Sequence, residues 1–175
     1  MITLRKIEPV DLPFLYQWEN DAAAWADGSN HNPLSRQDLR DYIASTTGDI
    51  FRDGQLRLVL ENSLINNKVV TFGCLDLFDL DPRNRRAAVG IYVAPEFRGR
   101  GWAVGALNEL DSYAFGFLKL RLLYAVVSRA NQASAGAFGS AGYTPSALLP
   151  HWTLEADAEV WYRFCADYKE QPQTT

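Results

Sequence analysis

Arg98, Gly99, Arg100 and Gly101 stand immediately before a run of small and apolar residues that opens at Trp102. The two guanidinium groups bring positive charge, and the glycines let a ligand approach the backbone closely. A helix starting near Trp102 adds unpaired backbone N–H groups and about +0.5 of a unit charge at its first turn. Together these suit a phosphate or pyrophosphate. A solvated strand–helix junction with arginines is the plainer reading of the same residues. Spacing excludes two familiar nucleotide loops, since neither G-x-x-x-x-G-K-[ST] nor G-x-G-x-x-G stands here.

The other residues able to do chemistry are scattered. Asp76 lies in a strand-like run, and period-two alternation puts Phe72, Cys74, Asp76 and Phe78 on one face. A carboxylate among apolar neighbours is pushed toward its neutral form and suits a general base. An ion pair with Arg85 or Arg86 is the structural alternative. Cys74 reads as a small buried hydrophobe rather than a nucleophile.

The chain's composition bounds what these residues serve. It has 175 residues and 47% hydrophobic content, which fits one soluble domain over residues 1–175. The net charge of −4 argues against a general nucleic-acid binder. Two cysteines and two histidines provide no disulfide framework and no metal spacing. The polar start MITLRKIEP is no signal peptide, and no run reaches the ~18 apolar residues of a membrane span. A cytoplasmic location follows, with no nucleic-acid, membrane or metal partner. A homodimer is left open.

The elements that must position these residues read in order. Residues 2–8 alternate as a first strand, and Asp11 caps a helix through about Asn20. Residues 26–33 form a loop. Ser35 caps a second helix through about Ala44, closed by Gly48. Strands follow at 55–61, 69–80 and 87–94, the first two as an antiparallel hairpin. The helix over 102–118 carries Ala103, Leu107, Leu110, Ala114 and Phe117 on one stripe. Residues 120–128 make another strand, and Asn131 opens a glycine-weakened helix. Leu148 to Leu154 and Glu159 to Phe164 are expected as a final strand pair.

At this point the residues resemble a family, over nearly the whole chain. Arg98-Gly99-Arg100-Gly101-Trp102-Ala103 stands as the [RQ]-x-x-G-x-[GA] signature of the GCN5-related N-acetyltransferases. Asn131 through Gly142-Tyr143 stands as their next motif. The element order also fits. The branch with spermidine and ribosomal-protein N-terminal acetyltransferases is the most similar, through Trp18–Asp21 and Asp76–Ala87. The resemblance implies an α/β (α+β) fold: one mixed, mostly antiparallel sheet, flanked by about four helices and splayed at the acyl-CoA site. It implies acetyl transfer from acetyl-CoA to a primary amine. A polyamine such as spermidine is the leading acceptor, and protein N-termini come second. A catalytically weak acyl-CoA-binding module is the non-enzymatic alternative.

The resemblance also implies site residues. Backbone amides of Arg98, Gly99, Arg100, Gly101, Trp102 and Ala103 would hold the pyrophosphate. Ile91, Tyr92 and Val93 would pair with the pantetheine arm as an added strand. An N–H near Val93 would polarise the thioester carbonyl. Asn131 and Phe138 complete the cofactor set. The chain departs from the pattern where the chemistry is done. The family's proton-donating Tyr, seven residues after the Asn, is Phe138 here, and its Glu before the motif strand is Ala88. Asp76 as base and Ser134 as hydroxyl are the remaining catalytic candidates. Ser134 has a backbone-satisfying helix-start hydroxyl as its plain alternative, and Tyr124 and Tyr143 are further donors in principle. Trp18, Glu19, Asp21, Trp25, Asp27 and His31 are the acceptor-pocket candidates, because carboxylates with tryptophans hold a cationic amine. Trp18 at helical spacing also suits the core.

Overall fold

The alternating run ITLRK forms strand β1, Ile2–Lys6. The computed structural model describes residues 1–21, 25, 32–63, 68–153 and 155–166. A 3-10 turn at Pro9–Asp11 leads into helix α1, Leu12–Glu19. Asp11 is the N-cap position of α1, as the spacing predicts, but its side chain makes no cap bond to that helix and instead reaches back to the start of the 3-10 turn. Its buried carboxylate takes both terminal nitrogens of Arg5 at 2.7 Å and the Glu8 amide at 2.8 Å.

Helix α2, Arg36–Ser45, begins as expected at Ser35. The Ser35 hydroxyl accepts from the Asp38 amide at 3.1 Å, and the Asp38 carboxylate accepts from the Ser35 amide at 2.8 Å. A short helix missing from the sequence reading follows: α3, Ile50–Asp53, capped by the Asp49 side chain and closed by Gly54 at φ 73°. Gly48 therefore lies between two helices.

Strands β2 (Leu56–Ser63), β3 (Val69–Asp81) and β4 (Arg86–Val93) come next. Helix α4 spans Trp102–Asp111 and β5 spans Leu122–Ser128. Helix α5, Gln132–Ser140, precedes β6 (Thr144–Leu149) and β7 (Ala158–Phe164). The penultimate strand thus starts before the expected Leu148. Its Pro145 sits at a register shift on the edge of the sheet, where a missing N–H is tolerated.

The seven strands run in the order β1-β2-β3-β4-β5-β7-β6. Every pairing is antiparallel except β4 with β5. This is the mixed sheet the resemblance implied. Helices α4 and α5 cover one face through Leu107, Leu110, Ala114 and Phe138, packed with Phe72, Leu75, Leu77 and Leu123. Helices α1 and α2 cover the other through Leu15, Trp18, Leu39 and Ile43, packed with Val59 and Cys74. Each such side chain contributes roughly 1.5–3 kcal/mol by leaving water.

Two breaks in period shape the site. The β2–β3 register jumps from Leu60↔Gly73 to Glu61↔Thr71, so Phe72 is bulged. Phe72 therefore joins the α4 side while Cys74 joins the α1 side, against the strict alternation expected. Gly73 makes the bulge possible: a Cβ there would stand 2.0 Å from the Tyr92 carbonyl oxygen. Helix α4 runs on as a π-helical turn, Ser112–Phe117. Its wider turn shifts the apolar stripe, and Phe117 is 74% exposed, stacked on Tyr113 at 5.6 Å. Among the described residues no helix is long and apolar enough to cross a membrane.

Candidate active site

Strand β4 pairs with β3 at Arg86 and from Ala88 to Val93 but with β5 only from Arg86 to Ala88. Beyond Ala88 the two strands part, while β5 stays paired to β7 through Ser128. The Ala94 amide donates to the Phe72 carbonyl at 2.9 Å. Antiparallel alternation then turns the backbone groups of Ile91 and Val93 away from β3, into the opening. The Val93 carbonyl accepts from Arg98 Nε at 2.9 Å. Among the described residues, what remains is a stretch of strand edge with no strand beside it, of the kind an extended peptide-like chain can join.

The loop after β4 lies at the end of that edge. A 3-10 turn at Pro95–Phe97 leads to Arg98, and Gly99 and Gly101 take φ of 72° and 73°. Nothing lies within 4 Å of a Cβ added at either glycine. The glycines are needed for left-handed backbone, and the space above them is open. Gly101 caps α4 with no side-chain bond, so the first-turn amides face outward unused by the helix. Trp102 anchors the turn between Phe72 (edge-on, 5.1 Å) and Phe97 (stacked, 5.3 Å). Arg98 lies 5.8 Å from the Tyr92 ring, and Arg100 lies 5.7 Å from Phe97 and 5.4 Å from Trp102. Both charges are thus laid along the loop by aromatic faces.

At the head of α5, Asn131 Oδ1 accepts from the Ser134 amide at 2.9 Å. Its oxygen caps the helix, and Ser134 is half-buried in the first turn. Phe138 is a core side chain, 2% exposed and edge-on to Tyr143 at 5.0 Å. Ala88 is buried beside Tyr124 at the last paired position before the strands part. The Tyr124 hydroxyl donates to the Asp79 carboxylate, and burial with that carboxylate pushes its pKa up to about 12. Burial likewise pushes the Tyr143 hydroxyl up.

On the α1 face, Asp76 meets an arginine that the sequence reading did not single out. Arg57 stands directly opposite it on β2. Arg57 Nε donates to Asp76 Oδ1 at 2.7 Å and a terminal nitrogen to Oδ2 at 3.0 Å, while the other terminal nitrogen donates to Glu19. Trp25 Nε1 donates to the Glu19 carbonyl at 2.8 Å, and the Tyr92 hydroxyl donates to Asp21 at 3.3 Å. Burial, with Asp21 beside it, pushes the Tyr92 hydroxyl up to about 12, which keeps it a donor. Trp18 is 5% exposed, stacked on Phe14 at 5.6 Å and tilted against Tyr92 at 5.8 Å. Asp27 and His31 lie outside the described residues. Burial pushes the Cys74 thiol up to about 12, so it stays protonated as a core side chain. Arg57 was legible only as a polar residue on the alternating run QLRLVLE. The register that faces it with Asp76 is a long-range fact.

The arrangement offers an anion cradle, an open strand edge beside it, and a carboxylate-rich wall joined to that edge through Tyr92. Comparisons with known proteins bear on the family and the fold. A family model described as acetyltransferase (GNAT) domain matches residues 1–144. The spermidine N(1)-acetyltransferase of Escherichia coli is 26% identical over 153 residues, covering 86% of this chain and 76% of that protein. The YdaF protein of Bacillus subtilis, which carries a ribosomal N-acetyltransferase name, is 28% identical over 140 residues, covering 76% of this chain and 72% of its own. Among solved structures, the spermidine N-acetyltransferase of Vibrio cholerae with CoA and spermine superposes with a TM-score of 0.79. It is 22% identical and is covered to 95%, against 93% of this chain.

Proposed function

The chain belongs to the GNAT acetyltransferase family, and from that premise we propose that it transfers acetyl from acetyl-CoA to a primary amine of a polyamine such as spermidine. The observation that carries the reading is the parting of β4 from β5 beyond Ala88, directly before the Arg98–Gly101 loop. Acetyl-CoA supplies an activated thioester. The first-turn amides of α4, with Arg98 and Arg100, hold its pyrophosphate, and the outward backbone groups of Ile91 and Val93 take its pantetheine arm. Asn131 and the wall around Phe138 close the acyl-CoA side. The reading uses no metal, because a thioester is reactive toward a neutral amine without one.

An aliphatic amine has a pKa of about 10.4 and arrives charged. Glu19, Asp21 and Asp76 bring three carboxylates to the acceptor wall, with Arg57 between Glu19 and Asp76. A cation with a second charge beyond the reacting nitrogen fits this balance, as a polyamine does and a peptide N-terminus need not. Relatives named for spermidine in Escherichia coli and Vibrio cholerae support the same choice. In our reading Asp76 receives the amine's proton through water. The nitrogen then bonds to the acetyl carbon as the carbon–sulfur bond breaks, and the proton that the nitrogen gives up as the amide forms passes through water to the departing thiolate, with the Ser134 hydroxyl as a relay that accepts one proton as it donates another. Much of the acceleration comes from alignment of the two substrates, which is how the site works with Phe138 and Ala88 in place of the usual acid and base. Self-association belongs to the same reading, at the level of a homodimer or above; a Vibrio cholerae relative has a dodecameric structure.

The test is release of free thiol from acetyl-CoA with and without spermidine. Amine-dependent release supports the proposal. Tight acetyl-CoA binding with no release on any amine would make the protein a binding module. Within the enzyme, Asp76→Asn is expected to lower kcat/KM for spermidine by about a hundredfold near neutral pH. Unchanged kcat/KM across pH would remove Asp76 as the proton acceptor.

A further inference from the structure

We propose that Arg57 is the positioning residue of the acceptor site: it holds Asp76 and Glu19 in the orientation in which they meet the acceptor's ammonium group, and it acts through them. The inference rests on the amine-acceptor reading above. Arg57 and Asp76 face each other across β2 and β3. Two of its nitrogens take both Asp76 oxygens at 2.7 and 3.0 Å, and the third takes Glu19 from the end of α1. The Tyr42 ring of α2 lies 5.7 Å from the guanidinium carbon. Four elements, α1, α2, β2 and β3, therefore meet on one side chain that is only 19% exposed.

A planar fork with several donors serves two carboxylates at once, which a lysine ammonium cannot do with fixed geometry. The guanidinium also lies between two negative groups that would otherwise repel each other and turn apart toward water. The restraint reaches further through α1. Glu19 carries the carbonyl that fixes Trp25 at 2.8 Å, and Asp21, two residues on, takes the Tyr92 hydroxyl at 3.3 Å. Tyr92 lies on the strand whose edge opens beside β5. Arg57 thus sets the acceptor wall relative to the acyl-CoA edge without touching the acyl-CoA loop.

The experiment compares wild type, Arg57→Gln, Arg57→Lys and Glu19→Gln in acetyl-CoA affinity, measured by calorimetry, and in KM and kcat for spermidine. For Arg57→Gln we expect kcat/KM for spermidine to fall about thirtyfold, chiefly through KM, with acetyl-CoA affinity within about twofold. Arg57→Lys recovers part of the loss, and Glu19→Gln, which keeps the arginine and loses one tether, raises KM less. In the Asp76→Asn background, Arg57→Gln costs less than in wild type, because the two act as a unit. A spermidine KM unchanged in Arg57→Gln overturns the inference, and so does acetyl-CoA affinity falling in step with it, in Arg57→Lys as well. Wild type that acetylates no amine overturns the acceptor reading itself, and this one with it. Active wild type with an indifferent Arg57 overturns this one alone.

Discussion

A single methyl group is enough to disturb the working edge. At Gly73 it would press on the Tyr92 carbonyl, which is backbone and cannot swing aside. Gly73→Ala is therefore expected to cost about 3 kcal/mol in urea unfolding. A loss under about 1 kcal/mol would mean that β4 can shift freely. Asp111 behaves differently. It pairs with Arg163 at 2.9 Å, yet burial outweighs the arginine and pushes its carboxyl from 3.8 up to about 6. The folded state then holds the proton more tightly than the unfolded chain. This group's contribution is fully present below about pH 4 and is lost as pH rises through about 6. Asp111→Asn should raise Tm over wild type at about pH 7.5 and bring no gain near pH 4. An equal gain at both would refute the burial argument. Neither residue was legible beforehand, because burial and backbone approach are set by strands distant in sequence. Glu19 and Asp21 were legible as acceptor-pocket carboxylates and Asp76 separately as a base, but the arginine expected beside Asp76 was Arg85 or Arg86, and the structure puts Arg57 there.

The strand–loop–helix unit is where local chemistry speaks most directly. Glycine spacing, two arginines and the apolar start at Trp102 marked the β4–α4 junction, and α4 begins at that residue. Ser35 and Asp38 marked α2 in the same local way. Errors came where tertiary structure breaks a period. The bulge at Phe72 exchanges the two faces of β3, the π-helical turn carries Phe117 into solvent, and β6 starts early, at Thr144, with Pro145 tolerated on the sheet edge. At this scale the arginines are predicted to act as exposed charges. Arg98→Ala and Arg100→Ala together should weaken acetyl-CoA binding about tenfold at low salt, and by less as ionic strength rises. Calorimetry in a salt series measures this. A loss independent of salt would point instead to collapse of the loop, since Arg98 also ties down the Val93 carbonyl.

For the molecule as a whole, the sheet divides the labour. The face under α4 and α5 leads to the Arg98–Gly101 loop, the face under α1 and α2 carries Glu19, Arg57 and Asp76, and β4 belongs to both. In the proposed reading, donor and acceptor meet where β4 and β5 part. The order of elements made this architecture readable from sequence. A polyamine acceptor was readable there only through the family resemblance and not from the residues themselves, because its recognition depends on the balance of charge among residues from α1, β2 and β3. That balance predicts an acceptor that stays cationic after its reacting nitrogen has lost a proton. The most direct measurement is kcat/KM for spermidine against that for a short peptide with a free N-terminus, under one acetyl-CoA concentration. The account predicts spermidine ahead by about a hundredfold or more; a peptide equal to or better than spermidine would contradict it.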